Sequence, residues 1–188
     1  MRNFKKLPIG QSSFENIIRD NELYVDKTEK IYGLINSTKF NFLSRPRRFG
    51  KSLLISTIEN IFLGNKELFK DLWIYNSEWK WEKYPVIVID FNKISVDTPE
   101  NLVLTLIEKL EEEGKRFNVS LERKLLKSVF AELICKVFEK TGKDVVILID
   151  EYDKPIINHL GKGDDSLQIA KKNREILREF FSTLKERK

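Results

Sequence analysis

Apolar positions recur along this chain at two spacings, and the two alternate. Val86-Ile87-Val88-Ile89 and Val145-Val146-Ile147-Leu148-Ile149 are unbroken apolar runs. β-Branched runs without polar alternation suit strands buried on both faces of a parallel sheet. They predict strands over Tyr84–Phe91 and Val145–Asp150. Around them the spacing changes to that of helices. Val103, Leu106, Ile107 and Leu110 form one stripe, opened by Thr98 as cap and Pro99 in the first turn. A second stripe runs from Leu125 through Val129, Phe130, Leu133 and Val137 to Phe138 and stops near Gly142. A third, Ile169, Ile176, Leu177, Phe180, Phe181 and Leu184, predicts a final helix over Asp165–Lys188.

The first third of the chain reads less regularly. Phe14–Ile18 predicts a short helix capped by Ser12 or Ser13, and Tyr24-Val25 a brief extended piece. Lys30–Ile35 predicts a helix feeding a strand over Lys39–Leu43. A helix from Lys51 to about Phe62 follows and ends at Gly64. Trp73, Tyr75, Trp79 and Trp81 interleave with charged residues, a pattern able to stack on single-stranded nucleic acid. Packing of a helix and turn over the sheet edge is the reading favoured here. Strands alternating with helices give the α/β class with a mostly parallel sheet.

Composition narrows the class. A length of 188 residues, 41% hydrophobic and 34% charged, suits one soluble domain with ample aromatic core material. No apolar run approaches the roughly 20 residues needed to span a bilayer. The N-terminus lacks the apolar core of a signal peptide, so a cytoplasmic location is expected. Cys135 is the only cysteine and lies in a helical stripe, which fits a packed hydrophobe better than a nucleophile. His159 is the only histidine and reads as a solvated turn or helix residue. No zinc spacing occurs. The net charge of +5 permits a nucleic-acid partner without arguing for one.

Candidate chemistry enters with Ser44-Arg45-Pro46-Arg47-Arg48-Phe49-Gly50-Lys51-Ser52. A loop closing in Gly-Lys-Ser between a strand and a helix is the context of a phosphate-cradling P-loop. The helix N-terminus offers unpaired N–H groups and a partial positive charge to phosphate. Lys51 would reach the β- and γ-phosphates and Ser52 would ligate magnesium. The first-glycine position of G-x-x-x-x-G-K-[ST] holds Arg45, and Pro46 biases it toward extended geometry and removes one N–H. The tight turn is therefore expected at Arg47–Gly50, with Arg47 and Arg48 offsetting the lost donor by charge. About a hundred residues on, Asp150 and Glu151 close the second apolar run. Carboxylates there lie where open α/β sheets bind ligands. Asp150 would hold magnesium, and Glu151 would polarise the attacking water.

These residues resemble the signature of a known family. Phe42-Leu43-Ser44-Arg45-Pro46-Arg47-Arg48-Phe49-Gly50-Lys51-Ser52-Leu53-Leu54 is similar to that of the AAA-ATPase-like family of prokaryotic P-loop proteins. So are Leu7-Pro8-Ile9-Gly10 with Tyr24-Val25-Asp26-Lys27-Thr28, the run Tyr84–Phe91, and Ile149-Asp150-Glu151-Tyr152-Asp153-Lys154-Pro155. The resemblance covers nearly the whole chain as one domain over 1–188, with 1–38 as a family-specific lead-in. It makes Arg45 the family's own pattern. It implies a P-loop NTPase three-layer fold that binds ATP and Mg2+ through Pro46, Arg47, Arg48, Phe49, Gly50, Lys51, Ser52 and Leu53, with Asp150 on the metal. It also implies that Glu151 and Lys51 are catalytic.

Many members carry a C-terminal nuclease-like domain of the PD-(D/E)xK type. The local imitation here has Tyr152 where an acid should stand, so no nuclease site is read. In AAA-type ATPases a sensor strand follows the helix after the acidic strand, and the last helix here ends where it would begin. The sheet is expected to be truncated before that strand. The chain would then be a fragment, be completed by a partner or oligomer that also supplies an arginine finger, or pair its two strands directly. Hydrolysis by this chain alone is expected to be weak. A nucleotide-dependent protein- or DNA-interaction module, or a non-functional piece of a longer ATPase, stays open as an alternative.

Overall fold

The computed structural model describes residues 5–44, 46 and 48–185, which form two compact units divided between Val86 and Ile87. In the first unit α1 is Phe14–Arg19, α2 is Thr28–Ser37 and α3 is Lys51–Phe62. Ser13 caps α1, its hydroxyl accepting from the Asn16 amide at 3.3 Å. α1 packs on α3, where the Phe14 amide donates to Ser56 Oγ at 3.0 Å. Phe14, Ile17, Ile58, Ile61 and Phe69 are buried at this contact or beside it.

The aromatic stretch packs on this unit's own rings, with Phe69 buried and Tyr75, Trp79 and Trp81 half-buried. It folds into two short 3-10 turns, Lys66–Phe69 and Trp73–Asn76. Phe69 stacks on Phe14 with ring centroids 4.5 Å apart, and Trp81 tilts against Phe69 at 5.0 Å. Trp73 and Trp79 meet Tyr32 edge-on. Stacked and edge-on pairs of this kind stabilise the unit, while Trp73 keeps 43% of its surface exposed. Asp26 ties the second turn down, accepting from Thr28 and from the Trp73 amide at 2.7 Å.

Residues 39–43 form no strand, contrary to the pattern, and Phe40 and Phe42 are 62% and 72% exposed. Local side-chain bonds occupy the backbone there. Thr38 Oγ1 donates to the Phe40 carbonyl at 2.8 Å, and Asn41 Nδ2 donates to the Thr38 carbonyl at 3.0 Å. Asn and Thr side chains compete with a sheet ladder in this way. Tyr24-Val25 lies in a stretch without regular structure, just after a parallel bridge between Lys6 and Glu22.

The second unit contains β1 (Val86–Asp90) from its second residue on, α4 (Pro99–Arg116), α5 (Leu126–Thr141), β2 (Val146–Asp150), α6 (Lys154–Ile157) and α7 (Asp164–Lys185). β1 and β2 pair in parallel and, among the described residues, make up the whole sheet. The α/β class therefore holds as a mixed helix–strand protein, whereas a three-layer P-loop sandwich would need more strands than these. Thr98 caps α4 with Pro99 in its first turn, and Gly142, at φ 65°, ends α5. α4, α5 and α7 pack on one another around Leu102, Leu106, Phe130, Leu133, Leu177 and Phe180, joined by Ile87 and Ile89 of β1.

The loop between α4 and α5 is held by Glu132. Its carboxylate accepts from the Lys136 ammonium at 2.9 Å and from the amides of Arg123 and Glu122 at 2.9 and 3.0 Å. The Lys136 bond first, and the Arg123 amide next, pull the Glu132 pKa from 4.5 down to about 2. A depressed carboxylate stabilises the fold above its unfolded pKa, and that stabilisation is lost as pH falls through the folded value. Acid unfolding followed by circular dichroism should show wild-type stability falling between pH 4.5 and about 2. In Glu132→Gln that part of the pH dependence should vanish, and an unchanged profile would show that Glu132 is not its source.

Candidate functional site

Two groups of polar residues answer the chemistry expected from the sequence, one in each unit. The first is the start of α3. Gly50 is its N-cap with φ 73° and ψ 28°, a left-handed conformation that glycine adopts without steric cost. Arg48 is also left-handed, at φ 66°. The turn thus falls at residues 48–50, where the delayed turn was expected. The first helical bond runs from the Leu54 amide to the Gly50 carbonyl at 3.0 Å. Among the described residues no side chain caps this N-terminus, and its first turn holds no acid. A Cβ on Gly50 would meet nothing within 4 Å, so the space beside the cap is open.

These features fit an anion: a helix start without a side-chain cap among the described residues, and an adjacent lysine and hydroxyl. Pro46, Arg48 and Phe49 are exposed, and Lys51, Ser52 and Leu53 are half-buried. Arg45 and Arg47 lie outside the described residues. α3 is braced from behind by the Tyr24 hydroxyl, 3.4 Å from Thr57 Oγ1, and burial raises the pKa of that phenol. The sequence places Lys51 at the helix start, and the structure agrees to the residue.

The second group closes β2. Asp150 is buried, 7% exposed, and its Oδ1 accepts from the Glu151 amide at 3.0 Å. Glu151 is half-buried and left-handed, at φ 51°. A non-glycine residue held there costs on the order of 1–3 kcal/mol and persists only where its surroundings over-determine it. The Lys154 amide bonds back to the Glu151 carbonyl at 3.0 Å. Asp90 ends β1, with Oδ1 accepting from the Asn92 amide at 2.9 Å. Among the described residues no three or more His, Cys, Asp or Glu side chains gather as a metal cluster.

His159 departs from its expected solvated place. It is half-buried, with Nε2 2.6 Å from the Val96 carbonyl and Nδ1 3.3 Å from Ser166 Oγ. A carbonyl only accepts, so Nε2 carries a proton. The short α6 turns the chain back and brings the ring to Val96. Cys135 is half-buried and its thiol donates to Glu139 Oε1 at 3.3 Å, consistent with a packing role. Asn173 carries no expectation from the sequence, although a polar residue within the apolar stripe of α7 was a legible signal; Lys154 stood in the family-like segment Ile149–Pro155 without a role of its own.

A mixed helix–strand protein with a glycine-led Lys-Ser helix start and an Asp-Glu strand end is thereby defined. The chain belongs to the AAA-ATPase-like family, whose model, described as predicted AAA-ATPase, matches residues 8–188. It is also similar to a protein of Azotobacter chroococcum mcd 1 described as "Uncharacterized protein in vnfD 5'region". Identity is 36% over 184 residues, covering 97% of this chain and 35% of that relative. The chain therefore spans about a third of that relative's length. No solved structure matches it. Among the described residues no helix is long and apolar enough to cross a membrane.

Proposed function

We propose that this chain is an ATP-binding domain that takes its nucleotide with magnesium. The observation that carries the proposal is the open, uncapped start of α3, led by left-handed Gly50 and followed by Lys51 and Ser52. Membership of a family described as predicted AAA-ATPase supports the choice of nucleotide. Lys51 would neutralise phosphate charge, and the first-turn amides through Leu53 would donate to phosphate oxygens. Pro46, Arg48 and Phe49 would line the approach. Magnesium keeps several waters and takes one or two side chains besides phosphate oxygens, so Ser52 beside the phosphates needs no larger protein cluster, and Asp150 is the candidate metal ligand that the second unit offers.

ATP when bound supplies the phosphoanhydride bond, and Glu151 is the residue this chain offers to take a proton from water. Its strained backbone after a buried acid fits a functional position better than an ordinary polar exit. Saturable, magnesium-dependent binding of ATP by the purified chain in equilibrium dialysis is expected. No binding at millimolar nucleotide would remove the proposal. Phosphate release is expected to be slow, and Glu151→Gln should lower it by about 10²–10⁴-fold, the usual worth of a general base. Binding should persist in that variant. Equal release from both proteins would take Glu151 out of the chemistry.

A further inference from the structure

The turn after β2 is held from two sides. The Asp150 carboxylate takes the Glu151 amide, and the Lys154 amide donates to the Glu151 carbonyl. The Lys154 ammonium then donates to the Asn92 carbonyl at 3.2 Å, two residues beyond the end of β1. Opposite, Asn173 of α7 is fully buried. Its Nδ2 donates to the Pro155 carbonyl at 2.9 Å and to the Val96 carbonyl at 3.3 Å. Its Oδ1 is buried without a hydrogen-bond partner among the described residues. A half-satisfied amide in an apolar stripe lowers stability, and an aliphatic side chain would suit the helix face better. Its presence calls for a role other than packing.

We infer that Lys154 and Asn173 are positioning residues that clamp this turn, so that Glu151 keeps its left-handed backbone and its carboxylate stays where the strand end puts it. Lys154 joins the turn to the end of β1, and Asn173 joins it to α7. Neither needs to touch nucleotide. The inference rests on the role proposed for Glu151, but the clamp itself has a readout that needs no ATP.

Amide hydrogen exchange of the full chain, followed by NMR, is that readout. In Lys154→Met the amides of Lys154, Ile156 and Ile157 should exchange about tenfold faster, the effect of losing one charge-assisted hydrogen bond. Amides of β1 and α5 should be unchanged, and Lys154→Arg should restore protection. Asn173→Leu, which keeps the volume, should loosen the same amides. Unchanged exchange in Lys154→Met, or a rise spread evenly over the unit, overturns the clamp. In magnesium–ATP assays, both variants should lose kcat with KM unchanged. A loosened turn with wild-type kcat overturns the positioning role. A wild-type chain that releases no phosphate, with exchange still accelerated in Lys154→Met, keeps the clamp and removes the ATPase reading instead.

Discussion

Lys51→Ala is expected to abolish the thermal stabilisation that magnesium and ATP confer on the wild-type chain. A ligand at 100 times its Kd adds about 2.7 kcal/mol to the folded state. For a chain of this size that corresponds to a rise in Tm of roughly 5–10 °C. Lys51 is the first residue of α3, half-buried beside an open space. Alanine is the best helix former, so the ligand-free melt should move little. Loss of the shift with an unchanged baseline therefore reports loss of phosphate contact rather than damage to the helix. Scanning fluorimetry with and without magnesium–ATP makes the measurement. A Lys51→Ala protein that still shifts by the wild-type amount would show that this helix start is not where the nucleotide binds.

The second large effect is expected in the core of the second unit. Phe130 and Phe180 are buried and stack with centroids 4.5 Å apart and planes 16° from parallel, joining α5 to α7. Truncating either to alanine removes a ring's burial and leaves a cavity, at a cost of about 3–5 kcal/mol. The double variant should cost less than the sum, since both singles delete the same stacking contact, worth about 0.5–1.5 kcal/mol. Urea unfolding of the four proteins measures this. Full additivity would mean that the rings do not meet. As α7 also carries Asn173, a loosened α5–α7 contact should weaken the hold on the turn after β2 as well.

Most of the helical scaffold was legible because its signals are local. The Thr98-Pro99 start of α4, the Gly142 stop of α5 and the Lys51 start of α3 each depend on a few adjacent residues whose backbone preferences act wherever the chain lies. The two apolar runs became β1 and β2 for a similar reason: unbroken β-branched stretches have few alternatives to a buried strand. The Asp-Glu pair could be placed at the end of β2 by counting alone.

Other features could not be read in this way. Phe40-Asn41-Phe42-Leu43 looks like a strand, but Asn41 and Thr38 close their own hydrogen bonds and no ladder forms. A short apolar run with a competing polar side chain is decided by the partner available to it, and a pattern does not name partners. The aromatic stretch shows the same limit. Its composition suited either stacking on bases or packing, and the rings it packs on, Phe14 and Tyr32, lie 41 to 55 positions away.

By itself, the sequence determined the family, the starts or ends of α3, α4 and α5 and the strands β1 and β2, because these depend on neighbouring side chains and backbone preference. The tertiary structure alone decided that Glu151 is held left-handed, that Lys154 reaches Asn92, that Asn173 braces Pro155, and that His159 faces Val96. The last three are bonds between segments 18 to 63 residues apart. Only the packing of helices on the sheet brings such partners within hydrogen-bond distance.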